Sequence, residues 1–370
     1  MPRYSSVSRF DHATPARTGV LLVQLGTPQA PEPGPVRRYL RQFLSDTRVV
    51  EIPRLVWWPI LHGIILTTRP RSSAAKYASI WTDQGSPLAV NTARQALLLR
   101  GHLGERGVDV EVAWAMRYGS PSVPSVLREL RERNVMRLLV LPMYPQYAGS
   151  TSATAFDAVW AELSGWRNLP ELRMVRAFHD HPGYLDALAA RIREAWTHDG
   201  APDRLVMSFH GVPRRTLELG DPYHCECLAT GRLLAQRLGL SPERALVTFQ
   251  SRFGKAEWLQ PYTDRTLEEL GRQGVGRVDV VCPGFVADCL ETLEEIAMEG
   301  RDTFLAAGGR DYRYIPCLND SAGLAAALAD LVQAHTAGWP VRRLGPEEER
   351  ARADELARRR ERALARGAKT

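Results

Sequence analysis

Two apolar runs in this 370-residue chain end in residues that could carry out acid–base or metal chemistry. The run from Leu205 to Met207 predicts a buried strand that stops at His210, because glycine and proline follow it within three residues. In open parallel α/β sheets, ligands bind at the carboxyl ends of the strands. A histidine there can accept a proton near neutral pH or bind a metal, although a histidine at a strand end is more often structural.

The second run, Val278 to Val281, also predicts a strand, and it is followed by Pro283-Gly284. A predicted helix over 289–300 comes next, with apolar residues at helical spacing. Glu291 lies on its first turn, so we expect it at the same sheet edge as His210. The alternative is that an acidic residue there only complements the helix dipole.

Four motifs around these residues, in this order, resemble the ferrochelatase family, whose members insert ferrous iron into a porphyrin in the last step of haem synthesis. They are Ser-Phe-His-Gly-Val-Pro at 208–213, Gly-Asp-Pro-Tyr at 220–223, Thr-Phe-Gln-Ser-Arg-Phe-Gly at 248–254, and Cys-Pro-Gly-Phe-Val-Ala-Asp-Cys-Leu-Glu-Thr-Leu-Glu-Glu at 282–295. The resemblance extends over residues 19 to 335.

The resemblance implies that His210 and Glu291 bind the metal and transfer protons, and that Leu25 lines the substrate face. Members that act on coproporphyrin resemble each other in having tyrosine at the position of Leu25, and Ala-His-Ser where this chain has Phe209-His210-Gly211. The expected substrate is therefore protoporphyrin IX. Coproporphyrin or another tetrapyrrole chelatase remains an alternative, as does a tetrapyrrole-binding protein without activity.

Metal insertion needs a base for two pyrrole protons, ligands that strip water from the ion, and a cleft that distorts the ring. Leu25, Tyr144, Pro213 and the Trp57-Trp58 region could line such a cleft. Arg117 could offset the propionates of the substrate. For Arg117 and Tyr118, an inter-domain ion pair and packing are equally compatible with the sequence.

Apolar runs alternate with helical patterns along the chain, which predicts an α/β fold with mainly parallel sheets. The motif Gly26-Thr-Pro28 is similar to Gly211-Val-Pro213, and Pro142-Met-Tyr144 is similar to Pro283-Gly-Phe285. These two pairs of similar motifs indicate two similar Rossmann-like domains, each a sheet flanked by helices. A cleft between them, as in type II chelatases, follows from the resemblance.

The predicted segments are a flexible N-terminus at 1–18, an N-terminal α/β domain at 19–170, a C-terminal α/β domain with the catalytic pair at 171–318, a closing helix at 319–340 and a charged tail at 341–370. Within the first domain, residues 47–71 mix apolar side chains with arginines. The residues alone favour a buried helix pair there, whereas the resemblance implies a mobile apolar lip over the porphyrin mouth.

The net charge of +6 does not indicate a nucleic-acid-binding protein, because residues 341–370 hold ten basic and six acidic residues and carry most of the excess. No signal-peptide core or membrane-spanning run is found in the sequence, so we expect a cytoplasmic protein with surface membrane contact at most.

Five cysteines do not suggest a disulfide framework. Many members of the family that the chain resembles have a cysteine-rich C-terminal extension that holds an iron–sulfur cluster. Residues 318–370 contain no cysteine, so the resemblance implies no such cluster and no cofactor beyond the substrate Fe²⁺.

One further motif, His224-Cys225-Glu226-Cys227, combines two thiols and an imidazole that could bind zinc. Structural zinc sites usually need four ligands at looser spacing, and no partner pair follows. A zinc site is therefore the weaker interpretation. Cys282 and Cys289 are interpreted as small buried hydrophobic residues.

Overall fold

The protein is described by a computed structural model over residues 4–5, 11–254 and 256–369. The predicted flexible segment 1–18 lies partly outside these residues, and its last two residues already belong to the first strand. Among the described residues, no helix is long and apolar enough to cross a membrane.

The first half is built on a four-stranded parallel sheet in the order β2-β1-β3-β4. Its central strand β1 is buried along nearly its whole length, as expected for a parallel strand covered on both faces. The strands are β1 Arg17–Gly26, β2 Glu111–Tyr118, β3 Val135–Pro142 and β4 Glu171–Met174. The last of these lies just beyond residue 170, where the first domain was predicted to end.

The helices of this half cover both faces of the sheet. Two of the α-helices directly follow a short π-helical segment. They are α1 Pro33–Leu44, α2 Arg54–Ile60, the π-helical segment Leu61–Ile65, α3 Leu66–Ile80, α4 Pro87–Glu105, α5 Val123–Glu132, the π-helical segment Gly149–Ala153, α6 Thr154–Leu163 and α7 Pro182–Asp199.

The second half repeats the arrangement with the strand order β6-β5-β7-β8, again all parallel. Its strands are β5 Arg204–His210, β6 Ala245–Gln250, β7 Arg277–Val281 and β8 Asp311–Tyr314. Its helices are α8 Arg214–Glu218, α9 Tyr223–Leu238, α10 Thr263–Arg272, the π-helical segment Glu291–Gly300, α11 Arg301–Ala306 and α12 Ala322–His335, and the tail forms α13 Pro346–Ala365.

The two sheets have the same strand order with an offset of four strands, which confirms the predicted fold of two similar α/β halves. The correspondence extends to the glycines at the ends of β1 and β5. A Cβ on Gly26 would lie 1.8 Å from the carbonyl oxygen of Tyr118 on β2, and one on Gly211 would lie 2.7 Å from that of Gln250 on β6. Both positions therefore require glycine, because the neighbouring strand leaves no room for a side chain.

One hydrophobic core is shared by the two halves. Alternate residues of β1 and β5, such as Leu22 and Met207, face helices α7 and α12, whose Leu188 and Leu328 are fully buried between the sheets. The other face of each sheet has a core of its own. Because the largest core crosses from one sheet to the other, the halves pack against each other as a single unit.

Helix α10 begins at Thr263. It does not extend further toward the N-terminus because Pro261 lies two residues earlier, and proline in a helix interior would remove a hydrogen bond and clash with the preceding turn. The edge strand β8 was not predicted, because its four residues, Asp-Tyr-Arg-Tyr, are polar and half-exposed.

Candidate active site

His210 is the last residue of β5 and is half-buried at the carboxyl edge of the second sheet. It pairs in register with Gln250 of β6, and the N–H of Gly211 donates to the Gln250 carbonyl at 2.7 Å. The imidazole Nδ1 lies 2.6 Å from the Gly211 carbonyl oxygen. Since a carbonyl only accepts, Nδ1 carries the hydrogen in this contact, and the Nε2 lone pair is left for a proton or a metal.

Glu291 is the first residue of the π-helical segment Glu291–Gly300, which follows β7. Gln250 Nε2 donates to the Glu291 backbone carbonyl at 2.7 Å, and Gln250 Oε1 accepts from the buried Ser208 hydroxyl at 2.8 Å. The Gln250 amide is thereby fixed at both ends. One side chain thus links the end of β6, next to His210, to the start of the segment that carries Glu291.

A third ionisable side chain at this edge, Glu295, is the last residue of the 282–295 motif. Its carboxylate accepts hydrogen bonds from the Ser251 N–H at 2.8 Å, from the Ser251 hydroxyl and from Gln250 Nε2 at 3.2 Å. Burial raises the pKa of Glu295, and the charge of Glu291 adds to this, whereas the Ser251 hydrogen bond and the charge of His210 act in the opposite direction. Glu295 therefore responds electrostatically to both predicted catalytic residues.

Ser251 adopts the left-handed backbone region, with φ of 64°, directly after β6. A non-glycine residue is uncommon there, and such strain persists only where surrounding contacts enforce it. Here the strain turns the Ser251 N–H and hydroxyl toward Glu295. In the sequence, only its place in the 248–254 motif indicates a role for Ser251.

The first half contributes a wall of two tyrosines that the sequence did not single out, Tyr39 of α1 and Tyr77 of α3. Both are buried, with ring centroids 6.3 Å apart in an edge-to-face arrangement. Burial raises the pKa of both phenols well above the usual value, and the charge of Glu291 contributes. The phenols therefore stay neutral, and Glu291 lies at the boundary between the halves.

Leu25 lies at the end of β1, in the position equivalent to His210 of β5. It packs against the tyrosine wall in one apolar cluster, which Leu290 and Leu293 of the second half also join. By contrast, Phe209 is fully buried in the shared core. Although Phe209 is next to His210 in the 208–213 motif, its side chain therefore lies in the core and not at the predicted substrate face, since alternate residues of a strand point to opposite faces.

Arg117 and Tyr118, at the end of β2, both contact Asp46, directly before the predicted lip. Arg117 forms an ion pair with Asp46 and donates from Nε to the Thr154 hydroxyl at 2.7 Å, while Tyr118 donates to Asp46 at 2.8 Å. Burial would raise the pKa of Asp46, but the hydrogen bonds, chiefly that from Thr154, and the charge of Arg117 lower it. These contacts lie within the first half and anchor the base of the lip.

Tyr144 and Pro213 are half-buried and lie after β3 and β5. The Tyr144 hydroxyl is buried and has no hydrogen-bond partner among the described residues. Burial raises its pKa, and its phenol is close enough to those of Tyr118 and Tyr39 to be affected by them. Pro213 precedes α8 and forms a backbone bridge with Trp258.

The segment 47–71 is amphipathic, so it is only partly the buried helix pair that the residues alone favoured. Trp57 is buried and donates its indole N–H to the Leu44 carbonyl at 2.7 Å, and it packs with Leu61, Ile65 and Leu66. The other face of the segment is exposed and apolar. It comprises Leu55, Val56, Trp58 and Ile64, and 92% of the Leu55 side chain is accessible to solvent. We call these four residues the lip face.

The 224–227 motif is not a cluster of metal ligands. Cys225 is exposed while Cys227 is buried, and the buried Glu226 accepts hydrogen bonds from the Tyr147 N–H at 2.7 Å and from Arg176 at 2.9 Å. No three histidine, cysteine or acidic side chains converge on a metal position in the described part of the chain. Cys282 and Cys289 are buried, as predicted, and burial followed by the charge of Glu291 raises the pKa of the Cys289 thiol.

Comparison with known proteins agrees with this fold. Among solved structures, SirB from Bacillus subtilis with Fe³⁺ has a similar fold, with a TM-score of 0.53 at 12% identity, covering 87% of this chain and 96% of that chain. A second SirB structure, from Bacillus subtilis subspecies spizizenii in complex with cobalt, has a TM-score of 0.51 at 10% identity, covering 87% of this chain and 97% of that chain. At these identities the likeness concerns the fold alone.

Sequence comparison identifies the family. The Ferrochelatase family model matches residues 17–336. The ferrochelatase of Aromatoleum aromaticum is 61% identical over 340 residues, covering 92% of this chain and 93% of that protein. That of Chromobacterium violaceum is 59% identical over 352 residues, covering 95% and 97%. With its paired sheets and the ionisable residues at their edge, the chain belongs to the ferrochelatase family, enzymes that insert a metal ion into a porphyrin.

Proposed function

We propose that this enzyme inserts ferrous iron into protoporphyrin IX, with His210 as the nearer metal ligand and proton acceptor and Glu291 as the second ligand or proton relay. The observation that carries this proposal is that Gln250, the register partner of His210, donates to the Glu291 backbone carbonyl at 2.7 Å, so that one side chain links the two residues. The charges of both residues also affect the pKa of Glu295. Imidazole and carboxylate are suitable ligands for ferrous iron.

The tautomer of His210 supports its role as base. Nδ1–H donates to the Gly211 carbonyl, so Nε2 presents a lone pair on the other side of the ring. A pyrrole proton accepted there can pass to Glu291 and then toward Glu295, whose pKa burial raises. A carboxyl group whose pKa is raised accepts a proton more readily than an ordinary glutamate does.

The apolar surroundings support protoporphyrin IX, which has two fewer carboxylates than coproporphyrin. Leu25, Leu290 and Leu293 form one cluster with the tyrosine wall, and the Arg117 charge is already paired with Asp46. The unpartnered Tyr144 hydroxyl is a group that a bound substrate could satisfy, since leaving it unpaired costs about 1–3 kcal/mol.

The test is an anaerobic assay of the purified protein with ferrous iron and either porphyrin, followed by absorption spectroscopy. We expect many turnovers and a higher kcat/KM for protoporphyrin IX. Equal or better turnover of coproporphyrin would contradict the substrate assignment. Stoichiometric porphyrin binding without metal insertion would instead support the alternative of a non-catalytic binding protein.

We also propose a cytoplasmic enzyme whose lip face touches a membrane surface. Four exposed apolar side chains beside Arg54 are suited to the boundary between lipid headgroups and acyl chains. Wild-type protein should float with vesicles of phosphatidylethanolamine and phosphatidylglycerol, while Leu55→Glu should not. Leu169→Glu, at an exposed leucine outside the lip, is the matched control. Equal flotation of all three proteins would rule out the lip face as the contact.

A further inference from the structure

Lys76 of α3 lies between two carboxylates of the π-helical segment that begins at Glu291. Its Nζ is 2.8 Å from Glu294 and 2.9 Å from Glu299. Helix α3 belongs to the first half and the π-helical segment to the second, so this ion triad joins the halves. The Glu294 side chain is 12% exposed, whereas those of Lys76 and Glu299 remain about half accessible to solvent.

The same helix makes a second cationic contact with the other half. The guanidinium of Arg69 lies over the ring of Phe253, 4.8 Å from its centroid. Residues 69 and 76 are seven apart, so they lie on one face of a helix, two turns from each other. Phe253 follows β6 in the segment that includes Ser251, a donor to Glu295. One face of α3 thus touches both segments that hold Glu295.

We propose that Lys76 is a positioning residue that fixes the distance between the tyrosine wall and Glu291, an inference that rests on the proposed catalytic role of Glu291. Lys76 directly precedes Tyr77, whose phenol experiences the Glu291 charge. Holding Lys76 to Glu294 and Glu299 therefore holds Tyr77 against the first turn of the π-helical segment.

Charge repulsion gives the triad a second effect. The π-helical segment carries four glutamates within nine residues, at 291, 294, 295 and 299. Lys76 is the cation that contacts two of them, and it offsets their repulsion. Without Lys76, the glutamates of the segment would repel one another without compensation, and the segment would lose its contact with α3. Glu291 would then be less well placed for proton transfer.

The partial exposure of the triad limits the expected effect. Exposed ion pairs are individually weak, but a three-member network that positions a reacting group affects the rate more than the stability. We expect Lys76→Met to lower kcat about threefold to tenfold, with the KM for porphyrin changed less than about twofold. Lys76→Arg should restore most of the rate.

The experiment compares Lys76→Met, Lys76→Arg and Arg71→Met in the full chain. Arg71 is an exposed cation of the same helix, and no ion pair of its side chain is found among the described residues, so it controls for loss of charge. Hydrogen exchange of the α3 and 291–300 amides is measured without substrate, and insertion kinetics are measured from about 0.05 M to about 0.5 M salt. Only in Lys76→Met should these amides exchange faster than in the wild type. Only in this variant should kcat lose the salt dependence that the wild type shows.

A double-mutant cycle with Glu294→Gln completes the test. The combined variant should be no slower than the slower of the two single variants, because both break one triad. Additive losses, or equal exchange and kcat in Lys76→Met and Arg71→Met, would overturn the proposal. If wild-type protein forms no metalloporphyrin, the proposed function fails, while the exchange data still report whether the triad holds the two halves.

Discussion

Gln250 donates a hydrogen bond from its side-chain amide to the backbone carbonyl of Glu291, at 2.7 Å. Gln250 is also the register partner of His210 across β5 and β6. The separation of the two proposed catalytic residues is therefore set by a buried amide and by a sheet ladder, both of which are rigid. Such a site holds its geometry without substrate, as electrostatic preorganisation requires.

Replacing His210 with alanine should abolish metal insertion while porphyrin still binds. The imidazole is the proposed base, and general-base groups contribute about 10²- to 10⁴-fold to rates. The apolar cluster around Leu25 does not depend on it. Porphyrin fluorescence titration and a zinc-insertion assay measure the two properties. His102→Ala, in the last turn of α4, is the control, and near-normal turnover in His210→Ala would refute the assignment.

Glu291→Gln should lower kcat more than it changes KM. The substitution keeps the shape of the side chain, and the backbone carbonyl that Gln250 contacts is unaffected. It removes the charge that would accept or relay a proton, a loss felt mainly in the transition state. Steady-state kinetics on both substrates check this, with Glu269→Gln on the exposed face of α10 as control. A change in KM alone would assign Glu291 to binding rather than to proton transfer.

The parts of this site that the sequence predicts are those encoded locally. Continuous apolar runs stopped by glycine and proline locate the strand ends. His210 lies directly at one such end, and Glu291 begins the helical segment that follows the other. Glu295 and Tyr77 could not be assigned in this way, since their roles depend on partners far away in sequence. Phe209 illustrates the same limit, because only the pairing of β5 within the sheet decides which residues face the core.

The fold was predictable to a similar degree. The equivalence of the halves was visible in Gly26 and Gly211, because both glycines are required by the close approach of a neighbouring strand. Strand β8 was missed because an edge strand of four residues needs no apolar run. The π-helical geometry after β7 was also not predicted, since apolar spacing alone does not distinguish it from an α-helix.

Glu295 should make the stability of the protein depend on pH. Burial raises its pKa above the ordinary 4.5, so the folded chain binds this proton more tightly than the unfolded chain does. Its contribution to stability is therefore largest below about pH 4.5 and decreases as the pH rises through the folded pKa.

Calorimetry of wild type and Glu295→Gln at several pH values between about 4 and 7 tests this. Glutamine cannot titrate, so the Tm of the wild type should fall relative to that of the variant as the pH rises. A constant difference, or one that grows in favour of the wild type, would show that Glu295 has no raised pKa. Glu269→Gln serves again as the exposed control and should show no such trend.

Deleting residues 346–370 should leave both stability and insertion rate nearly unchanged. No residue of α13 is buried, and its contacts with the rest of the chain are surface interactions, such as those of Arg359 with the His12 and Thr14 carbonyls and of Arg342 with Glu348. Exposed pairs of this kind are worth about 0–1 kcal/mol each, so Tm should shift by less than about 3 °C.

Leu328→Ala provides the contrast for this deletion, because Leu328 is fully buried in the shared core. Its truncation should cost about 2–5 kcal/mol, which thermal unfolding resolves easily. If the deletion variant instead loses as much Tm as Leu328→Ala, or loses insertion activity, α13 must pack against more than the N-terminal segment. Sedimentation velocity of the two proteins at several concentrations would then show whether the additional contact is with a second copy of the chain.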